Sequence, residues 1–137
     1  MTNESTVRFL NPASMPPPFG YSQVAEVTRG KLILIAGQVA RDTAGNSVGA
    51  GDFRAQVAST FQNLGHALAA VGASFSHVVK LNYYCVESVP ATELSVVREI
   101  RDQFVNTQAP PVSTFVFVSR LVRPEWLFEI EALAVVS

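Results

Sequence analysis

One stretch constrains this chain more than any other: between residues 53 and 71, Phe53, Val57, Phe61, Leu64, Leu68 and Val71 recur at intervals of three and four. That is the stripe of an amphipathic helix, because about 3.6 residues per turn bring such positions onto one face. Asp52 stands where an N-cap belongs and Gly72 where a helix ends. On both sides of this helix the period changes to that of strands, so the chain must join helices to a sheet.

Before the helix, Val7 to Leu10 is a short apolar stretch suited to an edge strand. The segment NPASMPPPFG that follows reads as loop, since proline cannot donate to a ladder. VAEVT and KLILIAGQVA flank Arg29-Gly30 in the pattern of a hairpin. RDTAGNSVGAGD, from residue 41 to 52, collects turn formers. After the helix, HVVKLNYYCV suits a central strand covered on at least one face. A second helical stripe in Leu94, Val97, Ile100 and Phe104 follows, stopped by the NTQAPP loop. VSTFVFVSRLV and EWLFEIEALAVV close the chain as strands around Arg123-Pro124.

The order β-β-β-α-β-α-β-β predicts an α+β domain: a mixed sheet packed on two helices along one side, with hairpins at its margins. All 137 residues fit one domain, with residues 1–18 as an extended N-terminal segment. The opposite sheet face needs a cover. Hydrophobic residues at 48% against charged residues at 15% fit a chain that buries that face against other subunits.

The net charge of −1 argues against nucleic acid as a partner, and no apolar run approaches the ~20 residues of a membrane span. The N-terminus lacks the basic and apolar regions of a signal peptide, so a cytoplasmic protein is expected. The lone Cys85 excludes an internal disulfide, and beside His66 and His77 it makes no zinc-type spacing, so no metal is expected. Cys85 reads as a small hydrophobe, His66 as a helix-flank residue and His77 as a group at a sheet end. No nucleophile elbow, zinc-protease motif, P-loop or dinucleotide fingerprint is present.

Chemistry is left to carboxylates, hydroxyls and backbone. Glu129 and Glu131 share one face of the last strand, roughly 6.5 to 7 Å apart, close enough to split their pKa values into an acid and a base. The alternative is an exposed polar face, or ion pairs to Arg120 or Arg123. FGYSQ, residues 19 to 23, offers a glycine turn with Tyr21, Ser22 and Gln23 as hydrogen-bonding groups, or else an ordinary turn. Gly37-Gln38 after LILIA marks a close backbone approach or a bulge. Val112 sits at the mouth of a strand entered from Pro110-Pro111.

Taken together, FGYSQ, LILIAGQVA, FQNLGHALAAVGASFSHVVKLNYYCV, APPVSTF and FEIEALA resemble the Rid family, also called YjgF, from about Phe19 to Val135. The resemblance implies a chorismate-mutase-like fold assembled as a homotrimer, with clefts for small-molecule ligands between subunits. It implies hydrolysis of enamines and imines to ammonia and a 2-keto acid without a cofactor. By the same resemblance, Tyr21 is the pocket tyrosine, Glu129 the glutamate that orients water, and Gly37 the glycine of the Gly-Gln pair. Ala36 stands where the standard site has serine, and Val112 where it has the carboxylate-clamping arginine. The chain is thus similar to an arginine-lacking branch. Backbone near Gly37 and Thr114 would hold the polarised atom.

Losing a charge-assisted bond of ~1.5 to 3 kcal/mol costs one to two decades in affinity. Either Arg41, Arg120 or Arg123 replaces the missing guanidinium from a neighbouring subunit, or the ligand is less acidic. A non-catalytic metabolite binder is the second expectation. The ribonuclease label attached to the family fits poorly with the charge.

Overall fold

The computed structural model describes residues 6–137. It has six strands: β1 (Val7–Leu10), β2 (Val24–Val27), β3 (Lys31–Gln38), β4 (Val78–Val86), β5 (Val112–Val118) and β6 (Phe128–Val136). Helices α1 (Phe53–Ala69) and α2 (Leu94–Arg101) complete the expected order. The expected extended segment therefore carries β1; its first five residues lie outside those described.

The sheet has the order β3-β6-β4-β5, with β4 and β5 parallel and β6 antiparallel to both its neighbours. Two expectations about pairing change here. The runs around Arg29-Gly30 do not form a hairpin; β2 pairs with β1 in a separate ribbon, and β3 spends its ladder on β6. Nor do the last two strands form a marginal hairpin, because β6 inserts between β3 and β4 at the centre of the sheet. Its alternation explains the placement: Phe128, Ile130, Ala132 and Ala134 are buried, which suits a strand with neighbours on both sides.

The helices cover one face. Phe53, Val57, Phe61, Leu64 and Leu68 of α1 are buried, as their spacing requires, and Asp52 accepts a hydrogen bond from the Ala55 N–H at 3.0 Å as the N-cap. The helix ends at Ala69, earlier than the stripe implied, and Val71 lies exposed in the turn that leads to Gly72, whose φ is +72°. Phe61 stacks on Phe104 at 5.4 Å, and Phe53 meets Phe128 edge-on at 5.9 Å. Truncating Phe61 to alanine is expected to cost about 3 to 5 kcal/mol.

The other face is open. Leu32 is 60% and Leu34 73% exposed, and Val116 adds to the same surface from β5. Apolar side chains on this scale are uncommon on the surface of a monomer.

Candidate active site

The hydrogen-bond register sets the open face out in rows. Leu34, Leu133, Lys80 and Val112 lie side by side across the four strands. The next row holds Glu131, Asn82 and Thr114, and the one after it Glu129, Tyr84 and Val116. A hollow of about 320 Å³ opens among Leu34, Ala36, Lys80, Asn82, Glu131 and Leu133.

Glu129 occupies the end of the face nearest Gly37. The β3 ladder shifts register between Ile35 and Gln38, so the glycine sits in a bulge, and a Cβ built on Gly37 would collide with Glu129 Oε1. Bulge and close approach, the two readings of Gly37-Gln38, are both realised: the missing side chain is the space the carboxylate uses. Burial, reinforced by the charge of Glu131, raises the Glu129 pKa above its ordinary value.

Glu131 has the opposite environment. The Tyr84 hydroxyl donates to its Oε1 at 2.5 Å and Asn82 Nδ2 donates to the same oxygen at 3.1 Å. These bonds, led by that of Tyr84 and joined by the nearby Lys80 charge, hold its pKa below the ordinary value. The two carboxylates therefore shift in opposite directions. Neither forms a salt bridge with Arg120 or Arg123 among the described residues: Arg120 donates to the carbonyls of Leu121 and Val122, and Arg123 to that of Gly45 while lying 4.8 Å from the Trp126 ring.

The turn that carries Tyr21 meets Val112 at another end of the sheet. Ser22 bridges Val112 in parallel, its N–H donating to the Pro111 carbonyl at 3.1 Å and its Oγ to that of Pro110 at 2.6 Å. Gly20, with φ +74°, supplies the turn. Ser22 and Gln23 are thus spent on the fold rather than on a ligand: Ser22 is buried, while Gln23 takes Asn11 Oδ1 through its N–H and the Pro16 carbonyl through Nε2.

The expected site residues fall into two groups. Ala36, Gly37 and Glu129 gather on β3 and β6, and Tyr21 and Val112 gather at the start of β5, with Thr114 next along it. Two strand spacings and four residues separate Val112 from Glu129, roughly 16 Å within one chain. Of the three candidate arginines, Arg41 lines a cavity with Gly37, a hollow of about 690 Å³ at the β3 edge that also touches Asn63 and His66.

Asn82 and Tyr84 were not singled out from sequence. Their signal was the alternation Lys80, Asn82, Tyr84 in KLNYYCV, polar side chains on one face of an otherwise apolar strand. His77 accepts from the Ser74 N–H through Nδ1, and Cys85 is buried, with its thiol pKa pushed up to about 11 by burial. No helix among the described residues is long and apolar enough to cross a membrane.

Residues 13–136 match the endoribonuclease L-PSP family. The chain is 36% identical over 115 residues to Protein DfrA of Myxococcus xanthus, covering 84% of each. It is 27% identical over 134 residues to a 2-iminobutanoate/2-iminopropanoate deaminase of Dermatophagoides farinae, covering 97% of this chain and 99% of the relative. Among solved structures, the Rid protein YyfB from Yersinia pestis, of unknown function, superposes with a TM-score of 0.87 at 35% identity, covering 96% of this chain and 100% of that one. A putative endoribonuclease from Thermotoga maritima gives 0.69 at 28% identity, covering 95% and 98%. With its fold, its Gly-Gln bulge and the extent of these matches, the chain belongs to the endoribonuclease L-PSP family, the Rid or YjgF proteins.

Proposed function

We propose that this protein hydrolyses a small imine or enamine in clefts shared between the subunits of a homotrimer. The observation that carries this reading is the seat of Glu129, a half-buried carboxylate lying where any side chain at residue 37 would lie, with a raised pKa. A carboxylate tuned in this way exchanges protons nearer neutrality. Glu129 takes a proton from water as the oxygen bonds to the C=N carbon and the nitrogen is protonated. The resulting aminoalcohol expels ammonia as its C–N bond breaks and its C=O forms. Tyr21 orients the ligand, and backbone near Gly37 and Thr114 holds the polarised atom.

The separation of Tyr21 and Val112 from Glu129 favours a site built from two chains. Burying Leu32 and Leu34 against a neighbour would close both the cleft and the open face. The likeness to a 2-iminobutanoate/2-iminopropanoate deaminase favours a C=N substrate. Val112 and Ala36 favour a ligand less acidic at that end than a 2-imino acid. Those same two apolar residues support a second reading, a trimer that binds a metabolite without turning it over.

The test is ammonia release from freshly generated imines, carboxylated and neutral, by the wild type and Glu129→Gln. Turnover of neutral imines that disappears in the variant is the expected result. Turnover of carboxylated imines would mean another residue replaces the arginine. No release from any substrate overturns the enzyme in favour of the binder.

A further inference from the structure

On the helix side, a cavity of about 240 Å³ lies between the end of α2 and the turn before Tyr21, lined by Phe19, Gly20, Arg98, Arg101, Thr107 and Pro110, with Asp102 at its wall. Its volume is about eight times the ~30 Å³ share of one liquid water, enough for a small organic molecule.

Its charge is unbalanced. Arg101 is a largely covered cation, its side chain 13% exposed, and Asp102 Oδ1 accepts from its Nε at 2.9 Å and its Nη2 at 2.8 Å. That carboxylate is therefore spent on one arginine. Arg98, on the same helix and exposed, makes no salt bridge among the described residues, which leaves the cavity one positive charge in excess. The Tyr83 hydroxyl is buried close to Arg101 and makes no hydrogen bond of good geometry among the described residues. Buried polar groups without partners are rare in folded proteins.

The seat of Arg101 is built rather than incidental. A Cβ on Gly20 would stand 2.5 Å from its Nη2 and 2.9 Å from its Nη1, so the glycine turn makes room for the guanidinium. Beyond these charged groups the wall is Thr107, the Gly20 turn and apolar side chains. Phe19, 74% exposed, and Pro110, two residues before Val112, contribute the apolar part of the lining. Two arginines together with an aromatic and a proline surface in one cavity suit an anion with a short apolar body.

We propose that this cavity binds the carboxylate of a small monocarboxylic acid, held by Arg98 and Thr107 at its head, with Arg101 behind, and by Phe19 and Pro110 along its chain. The site lies on the other side of the sheet from Glu129 and works independently of deamination. It abuts the turn that carries Tyr21, so a ligand there would stiffen that turn against β5.

The test uses butyrate as the probe and its neutral isostere butyramide as the control, with binding followed by backbone and arginine side-chain NMR on the full chain. Butyrate is expected to shift Arg98, Arg101, Thr107 and Phe19 and to saturate. Arg98→Ala, at an exposed position that leaves the Arg101 pair intact, should weaken butyrate roughly ten-fold or more, the effect of losing one charge-assisted hydrogen bond. Thr107→Val should weaken it less, and Glu129→Gln not at all. Equal binding of butyrate and butyramide, full affinity in Arg98→Ala, or shifts confined to Lys80 and Thr114 on the open face would each overturn the proposal. Because the readout is binding, a protein that releases no ammonia still tests it.

Discussion

Glu129 and Glu131 are one strand, one face and two residues apart, yet their surroundings send them in opposite directions. Glu129 rests in the gap left by a glycine and accepts no bond from a charged partner among the described residues, so burial dominates. Glu131 accepts from a phenol and an amide, so its charged form is favoured. Spacing creates a carboxylate pair; neighbours on other strands decide which member keeps its proton longer.

The comparison breaks most severely at Gly37. Gly37→Ala places a methyl group on the Glu129 carboxyl and must displace it. If Glu129 carries the chemistry, ammonia release is expected to fall about 100-fold, the scale of loss when a reacting group is misplaced by about 1 Å. An unchanged rate would mean that the glycine serves only the bulge.

Glu131→Gln sharpens the comparison by removing one of the two causes that lift Glu129. The acidic limb of the ammonia-release profile, and the Glu129 carboxyl titration followed by NMR, should both move to lower pH, by less than the whole shift because burial remains. Tyr84→Phe takes away the stronger donor to Glu131 and should cost about 1 kcal/mol of stability, read by urea denaturation.

The smallest effects are in thermal stability and have opposite signs. A carboxylate whose pKa is raised by folding opposes the folded state above its unfolded value, and the penalty grows as pH rises through the folded value. Glu129→Gln should therefore raise Tm at pH 7, with the gain fading below about pH 4.3, the ordinary glutamate value. Glu131, with a lowered pKa, stabilises above its unfolded value and loses this as pH falls through the folded one. Glu131→Gln should lower Tm at pH 7, with the difference shrinking in acid. Tm shifts of the same sign in both variants would refute the contrast.

Local physics explains what was legible in the chain. The stripe from Phe53 to Leu68 and its Asp52 cap were readable because a helix satisfies its own backbone and declares its buried face every three or four residues. The identity of the strands was readable from alternation and turn residues, and the shared face of Glu129 and Glu131 from a period of two. Strand order was not. Antiparallel neighbours in sequence suggested hairpins at residues 29–30 and 123–124, but ladder partners are chosen by burial, and the alternating apolar face of β6 belongs in the middle of the sheet.

The site divides in the same way. Composition and spacing supplied its carboxylates and its glycine turn, because residue type and period are properties of one segment. That Gly37 makes room for Glu129, that Tyr84 and Asn82 hold Glu131, that Ser22 staples the Tyr21 turn to Pro110 and Pro111, and that Arg101 fills the space behind Gly20 are contacts between segments. Such contacts exist only once the chain is packed, since desolvation and hydrogen bonding depend on which atoms become neighbours. The sequence by itself determined the elements and the chemical groups; the tertiary structure decided which groups meet and which proton each one holds.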